Sequence, residues 1–230
     1  MRLSKLFKKS KKRESVFWQK SYSQDGEDVV LNSYFSDFPE YKGFYLDIGA
    51  LHPLRFSNTQ MFYEKGWRGI NIDATPNSMQ EFKKLRPEDI NLEYGISGSQ
   101  GELTYYLYDE PALNNSDLER TQYLKTYGYD VKEEVKIKTM PINQILEKYL
   151  PQGRNIDFID VDVEGLDFEV VKSLDFEKYA PKYFLIEELD YVDNDFVNYQ
   201  NSQMYNLLSE KGYRVLAKTM RTVIFGLKTL

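Results

Sequence analysis

Two short apolar runs, each closed by an aspartate, constrain this chain more than any other feature. They are Gly43-Phe-Tyr-Leu-Asp47-Ile-Gly49-Ala50 and Gly69-Ile-Asn-Ile-Asp73. Runs this short, rich in β-branched and aromatic residues, read as strands buried on both faces, as in a parallel sheet. Between them Ser57-Asn58-Thr59-Gln60 has the Ser-x-x-Gln spacing of a capped helix, which predicts a helix from Ser57 to about Gly66. The unit is therefore strand, helix, strand, with a ligand crevice expected at the carboxyl ends of the strands.

The same alternation continues. An earlier helix is predicted from the Ser23-Gln24-Asp25-Gly26-Glu27 cap into Val29-Val30-Leu31. Pro76 opens the next helix, ending near Pro87. Ile90–Ser97 and Leu103–Tyr108 read as extended. Residues 109–135 are polar and irregular, with a helix near Asp117–Tyr127, and form a candidate lid or substrate loop. Strands are predicted at Val135–Met140, Ile156–Val163 and Tyr183–Ile186. Helices are predicted at Ile142–Leu150, Asp167–Leu174 and Gln200–Lys211. Tyr213–Lys218 and Thr222–Lys228 lie too close in sequence for a crossover helix, so they pair antiparallel. The expected fold is α/β: a doubly wound, mostly parallel sheet ending in an antiparallel strand pair.

Length and composition bound the rest. A chain of 230 residues with 41% hydrophobic residues makes one domain with a sizeable core. Nineteen tyrosines against two tryptophans suit half-buried surfaces around a cleft, or plain packing. With no cysteine, disulfides and thiolate metal sites are excluded. Residues 1–20 hold eight basic residues against one acid, Glu14, so the body from Ser21 onward is more acidic than the net charge of −6. That acidity argues against a nucleic-acid groove. The basic segment, with Leu3, Leu6, Phe7 and Trp18, reads either as an amphipathic contact with an anionic membrane or as a mobile, solvated tail. No apolar run is long enough to span a membrane, and a cytoplasmic location is expected. The domains are thus a basic appendage, 1–20, and one α/β domain, 21–230.

The chemistry concentrates at the strand ends. Asp47 and Gly49 close the first strand, where a glycine permits close backbone approach and an acid suits an ammonium group or an ordered water. Asp73 closes the second, at the place where an acid takes a ribose diol in nucleotide-binding βαβ units. The residues after Gly49 include Pro53 and no further glycine, so a G-x-G-x-x-G dinucleotide loop is absent. Asp160-Val-Asp162-Val-Glu164-Gly165 places three acids on one strand face, costly unless they meet a cleft, water or a cation. With Glu187 and Glu188 ending the next strand, Asp162, Glu187 and Glu188 are candidate ligands of an oxygen-only magnesium site, or the acids are simply solvated. Asp162, Glu164 and His52, the single histidine, are candidate general bases; His52 reads equally as a substrate donor or a packing residue.

In order along the chain, 22–31 (YSQDGEDVVL), 43–53 (GFYLDIGALHP), 57–73 (SNTQMFYEKGWRGINID), 157–174 (DFIDVDVEGLDFEVVKSL) and 184–188 (FLIEE) resemble the FkbM-type methyltransferases. The resemblance implies a class I methyltransferase fold, S-adenosylmethionine as donor and O-methylation of a sugar hydroxyl in a polysaccharide or glycosylated metabolite. It places Asp47, Gly49 and Asp73 in cofactor motifs and Asp162, Glu164 and Gly165 in a D-V-E-G motif. Gln24, Ala50, Asn58, Ala74, Ser97 and Asp162 complete the expected cofactor lining. Two rivals stand beside this reading. One is a nucleic-acid methyltransferase, although no D-P-P-Y-like tetrapeptide is present. The other is a non-catalytic nucleotide-binding scaffold docked through the basic tail.

Overall fold

The strand that carries Asp47 lies inside a seven-stranded sheet, beside its central strand. In the computed structural model, residues 18–163, 165–188 and 199–228 are described. The chain runs α1 (Glu27–Ser33), β1 (Phe44–Ile48), α2 (Gln60–Glu64), β2 (Arg68–Asp73), α3 (Met79–Leu85) and β3 (Ile90–Glu93). Next come β4 (Gly95–Ile96), β5 (Gly101–Leu107), a 3-10 turn at Pro111–Leu113, α4 (Leu118–Thr126), β6 (Glu133–Met140) and α5 (Ile142–Tyr149). Then follow β7 (Phe158–Val161), α6 (Asp167–Ser173), α7 (Phe176–Tyr179) and β8 (Tyr183–Glu187). The described chain ends in α8 (Gln203–Glu210), β9 (Tyr213–Lys218) and β10 (Thr222–Leu227).

The main sheet has the order β3-β2-β1-β7-β8-β10-β9. β1 is parallel to β2 and β7, and β7 to β8, whereas β10 is antiparallel to both β8 and β9. This is the doubly wound sheet with an antiparallel final pair expected of a class I methyltransferase. The order reverses between β1 and β7, which opens a crevice at their carboxyl ends.

Period-two alternation divides the core. Leu46 and Ile48 of β1 join Ile70, Ile159, Phe184 and Ile145 in one cluster. Tyr45, one residue out of phase, joins Phe62, Trp67, Phe158 and Leu185 on the opposite face. Rings there meet edge to face, as Phe35 and Trp67 do at 4.8 Å and 77°.

Three expectations are corrected. Ile90–Ser97 is two strands: Tyr94 still bonds to Asp73 O, but Gly95 and Ile96 pair with β6 instead. With β5 antiparallel to β6, they form a separate three-stranded sheet, β4-β6-β5. The helix expected from Ser57 begins at Gln60, because Ser57 Oγ accepts Gln60 N–H (3.1 Å) and Thr59 turns inward to Asp47. α1 begins at Glu27, four residues after the expected cap, and Ser23 Oγ both accepts Asp28 N–H (3.3 Å) and donates to the buried Asp28 carboxylate (2.9 Å). The helix expected near Asp117–Tyr127 is α4, with Asp117 accepting Glu119 and Arg120 N–H as its cap. Most of the basic segment, residues 1–17, lies outside the described residues; Trp18, Gln19 and Lys20 are exposed. No described helix is long and apolar enough to cross a membrane.

Candidate active site

A cleft of about 270 Å³ opens where β1, β2, β7 and β8 end. Gly49, Asp73, Asp162 and Glu187 form its floor, one from the end of each strand. Leu103, Tyr105 and Ile137 of the small sheet and the turn at Pro111–Asn114 form the opposite wall. Gln24, Asp25 and Glu27 close one side with Arg221 and Thr222 of the final hairpin. That closure is covalently distant but tight: Arg221 Nη1 meets both Asp25 carboxylate oxygens (2.9 and 2.7 Å), and Thr219 Oγ1 donates to Glu27 Oε1 (2.5 Å).

Asp47 is buried at the end of β1, where it accepts from Thr59 Oγ1 (2.5 Å). Burial pushes its carboxyl up to about 6, with the Arg86 charge and the Thr59 hydrogen bond opposing that rise. Asp73 uses one oxygen for Leu51 N–H (3.0 Å) and the other for Thr75 N–H (2.8 Å), so its plane is held by the backbone. Burial raises its pKa as well. Ionised oxygens that have each accepted one N–H keep a lone pair for a ligand hydroxyl.

Gly49 lines the cleft, and the backbone itself requires a glycine there. Its φ is 88°, and a Cβ there would stand 1.7 Å from Asp162 O. The close approach is to the backbone that leaves β7, whose Asp162 N–H bonds to Ile48 O (2.9 Å). Gly49 thus allows the backbone at Asp162 to lie close beside β1.

Asp162 follows the last residue of β7 and hydrogen-bonds to Glu187. Desolvation by the crowded cleft floor, then the Glu187 and Asp167 charges, raise it above the usual carboxylate range, and Arg120 of α4 opposes them. Asp167 accepts from Val163 N–H and Gly165 N–H (3.0 and 3.2 Å), fixing the turn of the D-V-E-G motif. Glu164 of that motif lies outside the described residues. Asp160, raised well above the carboxylate range by burial and then by Asp47, also lines the cleft. Asn58 Nδ2 donates to both Asp160 oxygens (3.1 and 3.0 Å), while Asn58 Oδ1 has no partner.

Of the sequence candidates, Gln24, Asp47, Gly49, Ala50, Asn58, Asp73, Ala74, Asp162 and Glu187 all line the cleft. His52 does not: its Nδ1 accepts from Leu54 N–H and Arg55 N–H (3.0 and 3.1 Å), which binds the ring to its own loop. Ser97 lies beyond the lining, its hydroxyl turned to Ser99 O, because the strand that carries it switches sheets. Glu188 is also outside, since alternate residues of a strand point to opposite faces. Among the described residues no three His, Asp or Glu side chains gather as a metal site, so Asp162, Glu187 and Glu188 do not form the expected magnesium cluster. α2 has five residues, and its Gln60 N–H is taken by Ser57 Oγ.

Sequence reasoning missed Arg120, Glu27 and Arg221. Arg120 sits on the α4 face beside the cleft, and only the folded lid brings it to Asp162. Asp160 was legible, since it shares strand phase with Asp162.

Residues 47–215 match the family model described as Methyltransferase FkbM domain. A crystal structure of methyltransferase FkbM from Methylobacillus flagellatus KT is similar, with a TM-score of 0.47 and 13% identity. The match covers 89% of this chain and 56% of that one, so this chain spans little more than half of that relative's length. No curated protein sequence matches significantly. The matched span begins at Asp47 itself and takes in Gly49, Asp73, Asp162 and Glu187, the whole floor of the cleft; the chain belongs to the FkbM methyltransferase family.

Proposed function

We propose that the cleft binds S-adenosylmethionine and that the enzyme methylates a hydroxyl group, with a sugar as the acceptor class. The observation that carries this reading is the pair of strand-end carboxylates, Asp47 and Asp73, together with the unpartnered Oδ1 of Asn58, which lines the same cleft. A buried carbonyl oxygen without a donor is costly, and a cofactor ammonium would satisfy it. Asp47 supplies the matching negative charge, and Asp73 the acceptors for a ribose diol. Ile96 and Leu103 offer an apolar surface for the base.

When bound, S-adenosylmethionine supplies a methyl group on a sulfonium, open to in-line displacement by a nucleophile. The chain's part is to place the acceptor oxygen and take its proton. Asp162 and Glu187 share a hydrogen bond on the cleft floor, and a bond between two carboxyl groups needs a proton on one of them. The ionised oxygen of the pair accepts the hydroxyl proton as the new O–C bond forms. Arg120 faces this pair and limits the repulsion within it. Acids outnumber the two arginines that line the cleft, which suits a neutral polyol and disfavours a phosphorylated or carboxylated acceptor.

Calorimetry tests the donor, and transfer of labelled methyl to neutral against acidic oligosaccharides tests the acceptor. Asp73→Ala is expected to weaken cofactor binding by about 1–3 kcal/mol, the cost of leaving ribose hydroxyls unpaired. Binding of NAD in place of S-adenosylmethionine, or transfer to acidic glycans alone, overturns the proposal.

A further inference from the structure

A polar network lies behind the cleft in the apolar interior, and the chemistry above leaves it unused. Arg86, which follows α3, and Asp89 have fully buried side chains, paired from Nε to Oδ2 at 2.9 Å. One terminal nitrogen of Arg86 donates to Tyr45 Oη (2.7 Å) and Asn71 Oδ1 (2.8 Å). The other donates to Thr59 Oγ1 (3.0 Å). Asp89 is itself satisfied by Tyr45 Oη (2.6 Å), Asn71 Nδ2 (3.0 Å) and Gly69 N–H (2.9 Å).

With Asp47 ionised, the direction of the chain through Thr59 is fixed. A guanidinium only donates, so Thr59 Oγ1 accepts from Arg86 and its single proton goes to Asp47 Oδ2 at 2.5 Å. That hydroxyl makes no cap bond to α2. A buried ion pair is weak evidence of stabilisation by itself, because desolvation offsets much of its attraction. Here it ends on a cofactor-side carboxylate. The charges facing Asp47 are Arg86 after α3, Asp89 before β3, Asp73 on β2 and Asp160 on β7. Arg86 is the single cation in that set.

We infer that Arg86, acting through Thr59, is a positioning residue for cofactor binding: it holds the Asp47 carboxylate in one orientation and as an anion toward the cleft. This rests on the reading that Asp47 binds S-adenosylmethionine. Because burial pushes Asp47 to about 6, loss of the Thr59 link moves its protonation into the neutral range.

The test is Thr59→Val, with S-adenosylmethionine titrated by calorimetry across the neutral range and Asp47 followed by carbon-13 carboxyl shifts in the ligand-free protein. In the wild type, affinity falls as pH drops through about 6, as Asp47 protonates. In Thr59→Val it is expected to be about tenfold weaker at about pH 6.5 and close to wild type at about pH 8, with the Asp47 titration moved upward. Thr59→Ser should restore both readouts. Adding Asp47→Asn should erase the pH-dependent difference. A loss equal at both pH values, or an unmoved Asp47 titration, overturns the inference and leaves Arg86 a packing element. Should Thr59→Val fail to fold, Arg86→Lys keeps the charge but loses the fork to Thr59 and carries the same comparison. If the wild type binds no S-adenosylmethionine at any pH, the reading of the cleft fails instead, and the ligand-free titration still decides the relay.

Discussion

Asp47 and Asp160 stand directly opposite one another in the parallel pair of β1 and β7. Neighbouring strands lie about 4.8 Å apart, so the two carboxyl groups share one side of the sheet as close neighbours. The like charge of Asp47 adds to burial in raising Asp160 well above the carboxylate range. Asn58 donates to both Asp160 oxygens, which opposes that rise without cancelling it.

Asp160→Asn is therefore expected to stabilise the fold at neutral pH by about 0.5–2 kcal/mol. The sign follows from linkage. A carboxyl raised in the folded state contributes stability that is present below its unfolded value and lost as pH rises through the folded one. Thermal melts should show the variant above the wild type at about pH 7 and level with it below about pH 4. A lower midpoint at neutral pH would mean that Asp160 is ionised and held by Asn58.

Asp162→Asn separates chemistry from binding. Turnover should fall by about 10²–10⁴-fold, since an amide cannot take the acceptor proton, while cofactor affinity stays within about threefold. Relief of the crowding with Glu187 should leave the melting midpoint unchanged or raised at neutral pH. Retained turnover removes Asp162 from the reaction.

Gly49→Ala tests the backbone contact that joins the two halves of the sheet. With a positive φ and a Cβ placed 1.7 Å from Asp162 O, the chain must move apart there. Denaturant unfolding should show a loss of about 3 kcal/mol or more, with cofactor binding weakened in parallel. A loss below about 1 kcal/mol would show that the β7 turn can yield.

The basic segment at residues 1–20 is expected to bring the full chain to anionic vesicles at low salt. Each basic residue contributes about 1 kcal/mol at best near such a surface, and the effect is screened beyond about 8 Å at physiological salt. Sedimentation with vesicles should lose the protein as salt rises and on deletion of residues 1–20. Equal pelleting with and without the segment would leave it without a membrane role.

The sequence by itself determined the sheet and the acids at its edge. Local signals suffice where a strand is buried on both faces, so Phe44–Ile48, Arg68–Asp73 and Phe158–Val161 announce themselves as apolar runs, and the chain direction puts Asp47, Asp73 and Asp162 at one end. The close spacing of the last two strands likewise required an antiparallel pair. Tertiary structure decided what depends on contacts between distant segments. It moved Gly95–Ile96, Gly101–Leu107 and Glu133–Met140 into a second sheet, because half-buried strands read alike whichever partner they choose. It brought Arg120, Arg221 and Glu27 to the cleft and turned His52 back on its own loop. It also set Arg86 behind Asp47. In the sequence Arg86 is one more basic residue near a helix end; only burial beside Asp89 and Thr59 makes its charge count, since a guanidinium acts over a few ångströms in the interior and is screened in water.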